Sequence, residues 1–127
     1  MSALPPAVIL FAHGSRDPLW RAPIDAVAAQ MQHQSPGTRV CCAFLELTAP
    51  DLPSTVRTLV AEGHRQLRIV PMFLGIGRHA REDLPVLVAQ LRQDHPELAI
   101  ELTPAVGEMP ALTRCLADLA LGVGRTT

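Results

Sequence analysis

Ala7-Val8-Ile9-Leu10-Phe11-Ala12-His13-Gly14-Ser15-Arg16-Asp17-Pro18 is the stretch on which the fold reading turns. An unbroken apolar run of this length, bounded by turn residues, fits a strand buried on both faces, as strands of parallel sheets are. The run gives way at once to His13 and a glycine, so a potential metal ligand stands at the strand's C-terminal mouth. Two further runs repeat the arrangement. Val40-Cys41-Cys42-Ala43-Phe44-Leu45 ends in Glu46, and Leu67-Arg68-Ile69-Val70-Pro71-Met72-Phe73-Leu74 leads through Gly75-Ile76-Gly77 to His79. If the three runs are parallel strands of one sheet, their C-terminal ends share the edge where open α/β sheets place ligands. Two imidazoles and a carboxylate are then expected to face one crevice.

The rest of the chain supports that architecture. Apolar runs alternate with segments of helical period, the pattern of βαβ units. Strands are expected over residues 7–12, 38–45, 67–73 and 98–102, and helices over about 20–34, 52–63, 83–95 and 108–121. Val56, Leu59 and Val60 fall on one helical face, as do Leu84, Leu87, Val88 and Leu91. Pro23, Pro53, Pro85 and Pro110 each stand near the start of a proposed helix, where the missing N–H costs nothing. Asp51 and Asp83 precede two of them as N-caps, and Ser35-Pro36-Gly37, Gly63, Pro96 and Gly122 mark the stops. The reading is an α/β fold of three layers. Right-handed crossovers put helices on both faces of a four-stranded parallel sheet, in one domain over residues 1–127 with its core at about 7–121. The connections at His13–Leu19 and Gly75–Glu82 are longer and more polar than a usual βα loop, which is where a site would be built.

Composition narrows the function classes. At 127 residues with 48% hydrophobic content, the chain can bury a full core without a disulfide or structural metal. Only Gly124-Arg125-Thr126-Thr127 reads as unstructured. Eleven basic against twelve acidic residues give a formal charge of −1, with no basic footprint for nucleic acid. One Trp, three Phe and no Tyr leave little for a base-stacking platform. The start, Met1-Ser2-Ala3-Leu4-Pro5-Pro6, lacks the basic region of a signal peptide, and no apolar run reaches the ~20 residues of a membrane span. Cys41, Cys42 and Cys115 are odd in number and form no CxxC knuckle. They read as small buried hydrophobes in a reducing cytoplasm.

Chemistry concentrates in the two long loops. In the first, Gly14 permits a sharp turn, Ser15 offers a hydroxyl and Arg16 a charged fork. Asp17 and Pro18 read as a helix cap and first helical residue. Gly75-Ile76-Gly77-Arg78-His79 is glycine-rich, but it is neither a P-loop nor a dinucleotide fingerprint. Its glycines would let the backbone approach a ligand, with His79 just before a helix. His33, His64 and His95 lie at helix ends, where the dipole and last carbonyls account for them. Two histidines and a carboxylate suit a divalent ion such as Co, Ni, Fe or Zn. They are too few to close a structural site, so the position would stay open. Arg16, Arg21, Arg78 and Arg81 flank the two motif histidines and favour an acidic small molecule.

His13-Gly14-Ser15-Arg16-Asp17-Pro18, Phe44-Leu45-Glu46 and the run from Pro71 to Pro85 resemble the small sirohydrochlorin chelatases, CbiX-type members of the class II chelatases. The match extends from residue 7 to about 107, including Pro104-Ala105-Val106-Gly107, in the family's order and spacing. The resemblance implies ATP-independent insertion of a divalent metal into sirohydrochlorin: Co²⁺ on the way to cobalamin, Fe²⁺ to siroheme, Ni²⁺ for a related route. It implies no cofactor beyond that metal substrate. His13 and His79 would sit over the tetrapyrrole and hold the incoming metal, and Glu46 would complete the metal site. One imidazole binding the ion and one accepting a proton would suit the chemistry, without the sequence saying which. Ser15, Arg16, Arg78 and Arg81 are the candidates for the substrate's carboxylates. Larger relatives have two such units facing across a cleft, so a homodimer is implied here. Two other readings use the same residues. A metal or tetrapyrrole carrier would bind without turnover, and a phosphoryl-transfer enzyme would act through His13. Histidine phosphatases usually place Arg immediately before their histidine, and here that residue is Ala12.

Overall fold

The computed structural model describes residues 4–123; the expected unstructured tail, Gly124–Thr127, lies outside them. Strands and helices alternate as β1 (Ala7–Ala12), α1 (Ala22–Gln34), β2 (Val40–Phe44), α2 (Leu52–Ala61), β3 (Gln66–Pro71), α3 (Arg78–Asp94), β4 (Ala99–Leu102) and α4 (Pro110–Leu121). A short 3₁₀ turn, Val106–Glu108, precedes α4. The four strands form one wholly parallel sheet in the order β2-β1-β3-β4.

The apolar runs become strands because both their faces are covered. On one face Ile9, Phe11, Ala43, Leu67 and Ile69 meet Leu52, Val56 and Leu59 of α2 and Leu84, Val88 and Leu91 of α3. Burying a side chain of this size is worth about 1.5–3 kcal/mol, so this layer carries most of the fold's stability. On the other face α1 covers β1 and β2. Asp25 lies 3.9 Å from the Cys42 sulfur, and Arg21 stands 4.8 Å over the Phe44 ring.

Helices do cover both faces, but α4 covers neither. None of its residues is buried, and it packs against the 3₁₀ turn instead of the sheet. Thr103 N–H donates to the Ile69 carbonyl and Gly107 N–H to the Phe73 carbonyl, both at 3.0 Å, so the chain entering α4 is tied to the sheet's C-terminal edge. Beside α1, the β3–β4 part of the face stays open. There Arg68 and Glu101 pair at 3.1 Å while largely exposed.

The punctuation was right for α2, where the Asp51 carboxylate accepts the Ser54 N–H at 2.8 Å. Pro23, Pro53 and Pro110 likewise occupy the first helical positions, and Gly122 closes α4 with φ +72°. It misplaced α3. That helix starts at Arg78 with Gly77 as its cap, so Asp83 is no N-cap and Pro85 lies inside the helix. Pro85 is tolerated because it is exposed, while Ala80, Leu84, Val88 and Leu91 hold the helix by its buried stripe. Tertiary burial outweighs the one hydrogen bond that proline removes. Asp17 and Pro18 also do not begin α1, which starts at Ala22. The Asp17 carboxylate accepts the Leu19 N–H at 2.9 Å and closes a separate turn.

Candidate metal and substrate site

In the strand order β2-β1-β3-β4 the chain leaves β1 to one side and returns on the other. The loops after β1 and β3 therefore diverge, and a crevice opens between them at the C-terminal edge. His13 begins the first of these loops. Residues 72–77 form the second.

The position of Glu46 beside His13 is fixed by backbone. Leu45 N–H donates to the Ala12 carbonyl at 2.9 Å and Glu46 N–H to the His13 carbonyl at 3.0 Å, continuing the β1–β2 ladder past the strands. Gly14, with φ +102°, lies against this extension; a Cβ there would sit 1.7 Å from the Glu46 carbonyl oxygen. The Thr48 hydroxyl accepts the Ser15 N–H at 3.0 Å and donates to the Ser15 carbonyl at 2.8 Å. Thr48 N–H reaches back to the Glu46 carbonyl at 2.8 Å, which makes Leu47, with φ +66°, the centre of a γ-turn.

This scaffold brings His13 Nε2 to 3.7 Å from Glu46 Oε2, with both side chains about half exposed at 54% and 52%. The gap is too long for a hydrogen bond. It does suit two donors on one ion: with metal–ligand bonds of about 2.0–2.2 Å, a 3.7 Å separation subtends an angle of about 125°. The pair is open to solvent on its outer side.

His79 does not join them. Among the described residues no group of three or more His, Cys, Asp or Glu side chains stands close enough to hold a metal ion, so the expected trio is not assembled. The reason is the early start of α3. His79 is the second residue of that helix instead of a loop residue before it. It is 83% exposed, and its Nε2 lies 2.8 Å from Asp83 Oδ2 one turn on. The edge therefore carries two pairs, His13–Glu46 and His79–Asp83. Sequence reading missed Asp83 as a partner because Pro85 made it look like a cap; the i, i+4 spacing from His79 was the available signal.

The remaining candidates sit around these pairs. The Ser15 hydroxyl accepts the Asp17 N–H at 3.0 Å and so also shapes its own turn. Arg78 pairs with Glu82 at 3.1 Å. Arg16 and Arg81 are exposed and form no ion pair among the described residues. Gly75 and Gly77 have open space where a Cβ would be, whereas Gly107 does not: a Cβ there would meet the Leu74 carbonyl oxygen at 1.6 Å. His33 and His95 lie in the last turn of α1 and at the end of α3. His64, expected at a helix terminus, is buried after Gly63, and its Nδ1 has no partner. None of the three approaches the C-terminal edge.

Comparison with known proteins agrees with this fold. The sequence profile of the CbiX family matches residues 7–121. The sirohydrochlorin cobaltochelatase of Methanococcus aeolicus is 32% identical over 82 residues, 65% of this chain and 57% of that protein. That of Methanocaldococcus jannaschii is 27% identical over 89 residues, 70% of this chain and 62% of that protein. The chain thus spans about three fifths of the length of these relatives. Among solved structures, a CbiX protein of Marinobacter aquaeolei VT8 superposes with TM-score 0.80 at 30% identity, over 93% of this chain and 96% of that one. The sirohydrochlorin chelatase SirB of Bacillus subtilis subspecies spizizenii, solved with cobalt, shares the fold at TM-score 0.75 and 21% identity, over 94% of this chain and 51% of that one. The profile match over residues 7–121, on a four-stranded parallel α/β sheet, places this chain in the CbiX family.

Proposed function

We propose that this protein inserts a divalent metal into sirohydrochlorin without ATP, with Co²⁺ as its metal ahead of Fe²⁺ or Ni²⁺. The observation that carries the reading is the His13–Glu46 pair, 3.7 Å apart at the sheet edge of a CbiX-family chain. The names of the relatives above favour cobalt.

Metallation must bind the ion, strip part of its water and remove two pyrrole N–H protons. The two pairs divide that work. His13, as neutral imidazole, and Glu46 hold the incoming ion and leave its remaining positions for water and then for pyrrole nitrogens. His79 accepts protons. The carboxylate of Asp83 fixes its ring and stabilises the imidazolium that results. Each turnover releases two protons and one metallated tetrapyrrole. Ser15, Arg16, Arg78 and Arg81 bind the substrate's rim carboxylates in this reading.

A second copy of this chain completes the cleft in this reading. Leu112, Leu116 and Leu119 recur at helical spacing on α4, and Leu116 and Leu119 remain 38% and 53% exposed. A helix with such a stripe needs an apolar partner. No helix among the described residues is long and apolar enough to cross a membrane, and the three cysteines are free. A reducing cytoplasm fits the free thiols.

The test is anaerobic incubation of the protein with excess sirohydrochlorin and Co²⁺, following the absorbance change of metallation. Many turnovers per protein support the enzyme. A single turnover with tight binding would instead make it a carrier, and a rate equal to the protein-free control would end the proposal.

A further inference from the structure

The loop that carries Glu46 is held at its base by backbone and at its tip by one hydroxyl. At the base, Phe44 N–H donates to the Pro50 carbonyl at 2.9 Å. At the tip, the Thr48 hydroxyl takes both backbone groups of Ser15, accepting the N–H at 3.0 Å and donating to the carbonyl at 2.8 Å. Among the described residues no other side chain hydrogen-bonds from this loop to the loop after β1. Ser15 stands two residues beyond His13, and Thr48 two residues beyond Glu46. The strap therefore joins the two loops just past the two proposed metal donors.

What the strap holds is a strained turn. Leu47, between Glu46 and Thr48, is the one non-glycine residue with positive φ among the described residues. That conformation is costly for a residue with a Cβ. Leu47 is also 53% exposed, so burial of its side chain does not hold it there. Glu46 N–H is anchored on the His13 carbonyl, which fixes where the loop begins and not which way the turn beyond it runs. The bonds that direct the turn are those of Thr48, its N–H to the Glu46 carbonyl and its hydroxyl to Ser15. Released from Ser15, the turn can relax, and nothing then keeps the Glu46 carboxylate 3.7 Å from His13 Nε2. Costly backbone held in place beside a site points to a demand of that site. Here the demand is a fixed distance between two donors, because ligands already in place need no ordering when the ion binds.

We propose that Thr48 is a positioning residue for metal capture: by strapping its loop to Ser15 it fixes the Glu46 carboxylate beside His13 before the ion arrives. This rests on the His13–Glu46 reading above. In this role Thr48 acts through Glu46 and not on the ion itself. Its hydroxyl donates and accepts at once, which serine reproduces and valine, of nearly the same shape, does not. Valine would also leave the part-buried Ser15 N–H and carbonyl without their partner.

The experiment is Co²⁺ titration, with Tm measured on each protein, of the wild type, Thr48→Val, Thr48→Ser, Glu46→Ala and the double variant Glu46→Ala/Thr48→Val. Thr48→Val is expected to weaken Co²⁺ binding about tenfold through the lost bonds to Ser15, while Thr48→Ser stays within about threefold of the wild type. In the Glu46→Ala background, the remaining binding by His13 is read from paramagnetic broadening of its ring protons. Adding Thr48→Val there is expected to change the affinity by less than about twofold, an outcome that a merely structural threonine would not produce. A tenfold loss both with and without Glu46 would overturn the positioning role, as would wild-type affinity in Thr48→Val. A further reading needs no substitution: the Ser15 amide of the wild type is expected to be protected from hydrogen exchange, and exchange at the rate of an unfolded peptide would overturn the strap. A wild type that does not bind Co²⁺ would overturn the His13–Glu46 reading as well.

Discussion

Replacing Gly14 with alanine should separate Glu46 from His13. A Cβ at this position would lie 1.7 Å from the Glu46 carbonyl oxygen and 2.9 Å from its carbon, so the two loops must part. With φ at +102°, alanine also sits in a region costing about 1–2 kcal/mol. Parting the loops breaks the Glu46–His13 backbone bond and the two bonds between Ser15 and Thr48, each worth about 1 kcal/mol. The sum is about 4–5 kcal/mol, a large fraction of the roughly 5–15 kcal/mol that stabilises a domain. For a chain of this size it corresponds to a Tm lower by about 15 °C. Thermal unfolding of Gly14→Ala is compared with Gly75→Ala, where a Cβ meets nothing within 4 Å. Co²⁺ titration should show weakened binding in the first variant alone. If Gly14→Ala melts within about 3 °C of Gly75→Ala and binds Co²⁺ equally well, the docking argument is wrong.

Other outcomes follow from the same structure. Asp83→Asn, which removes the charge that orients His79, should lower the metallation kcat about 10- to 100-fold with Co²⁺ affinity intact, as measured by parallel turnover and titration. Asp51→Ala removes the N-cap of α2 and should cost about 1 kcal/mol in denaturant unfolding at neutral pH. The Ser54 hydroxyl and N–H hold the Asp51 carboxyl below the usual carboxylate range. Its contribution is therefore full above that range and lost as pH falls through the lowered value, so wild type and variant should converge in acid. Burial pushes the Cys41 and Cys42 thiols up, which keeps them protonated and slow to react near neutral pH. Exposed Cys115 should react first with Ellman's reagent, as mass mapping of the labelled peptides would show.

Much of this was legible in the chain. The apolar runs ending in His13 and Glu46 gave two neighbouring strands and placed both donors at one edge, because parallel strands buried on both faces leave a plain signature in sequence. Asp51 and Pro53 likewise announced α2 through a cap that depends on local chemistry alone. The α3 start was hidden because Asp83 and Pro85 imitate a helix N-terminus, while the true anchor is the burial of Ala80, Leu84, Val88 and Leu91 against the sheet. That displacement put His79 on the first turn of the helix, beside Asp83. Gly107 and Thr48 were unreadable for a related reason: each acts on a partner in another loop, 33 residues away for Ser15 and Thr48, and no local pattern encodes that meeting. The uncovered face of α4 was equally hidden, since its apolar stripe looks the same whether or not the chain supplies a partner.

The division of labour between the two pairs is the central claim, and Co²⁺ titration beside turnover tests it most directly in the wild type, His13→Ala and His79→Ala. The account predicts that His13→Ala loses Co²⁺ binding and turnover together, while His79→Ala binds Co²⁺ as the wild type does and metallates sirohydrochlorin far more slowly. Equal loss of Co²⁺ affinity in both variants would contradict it, because both histidines would then be ligands of one ion.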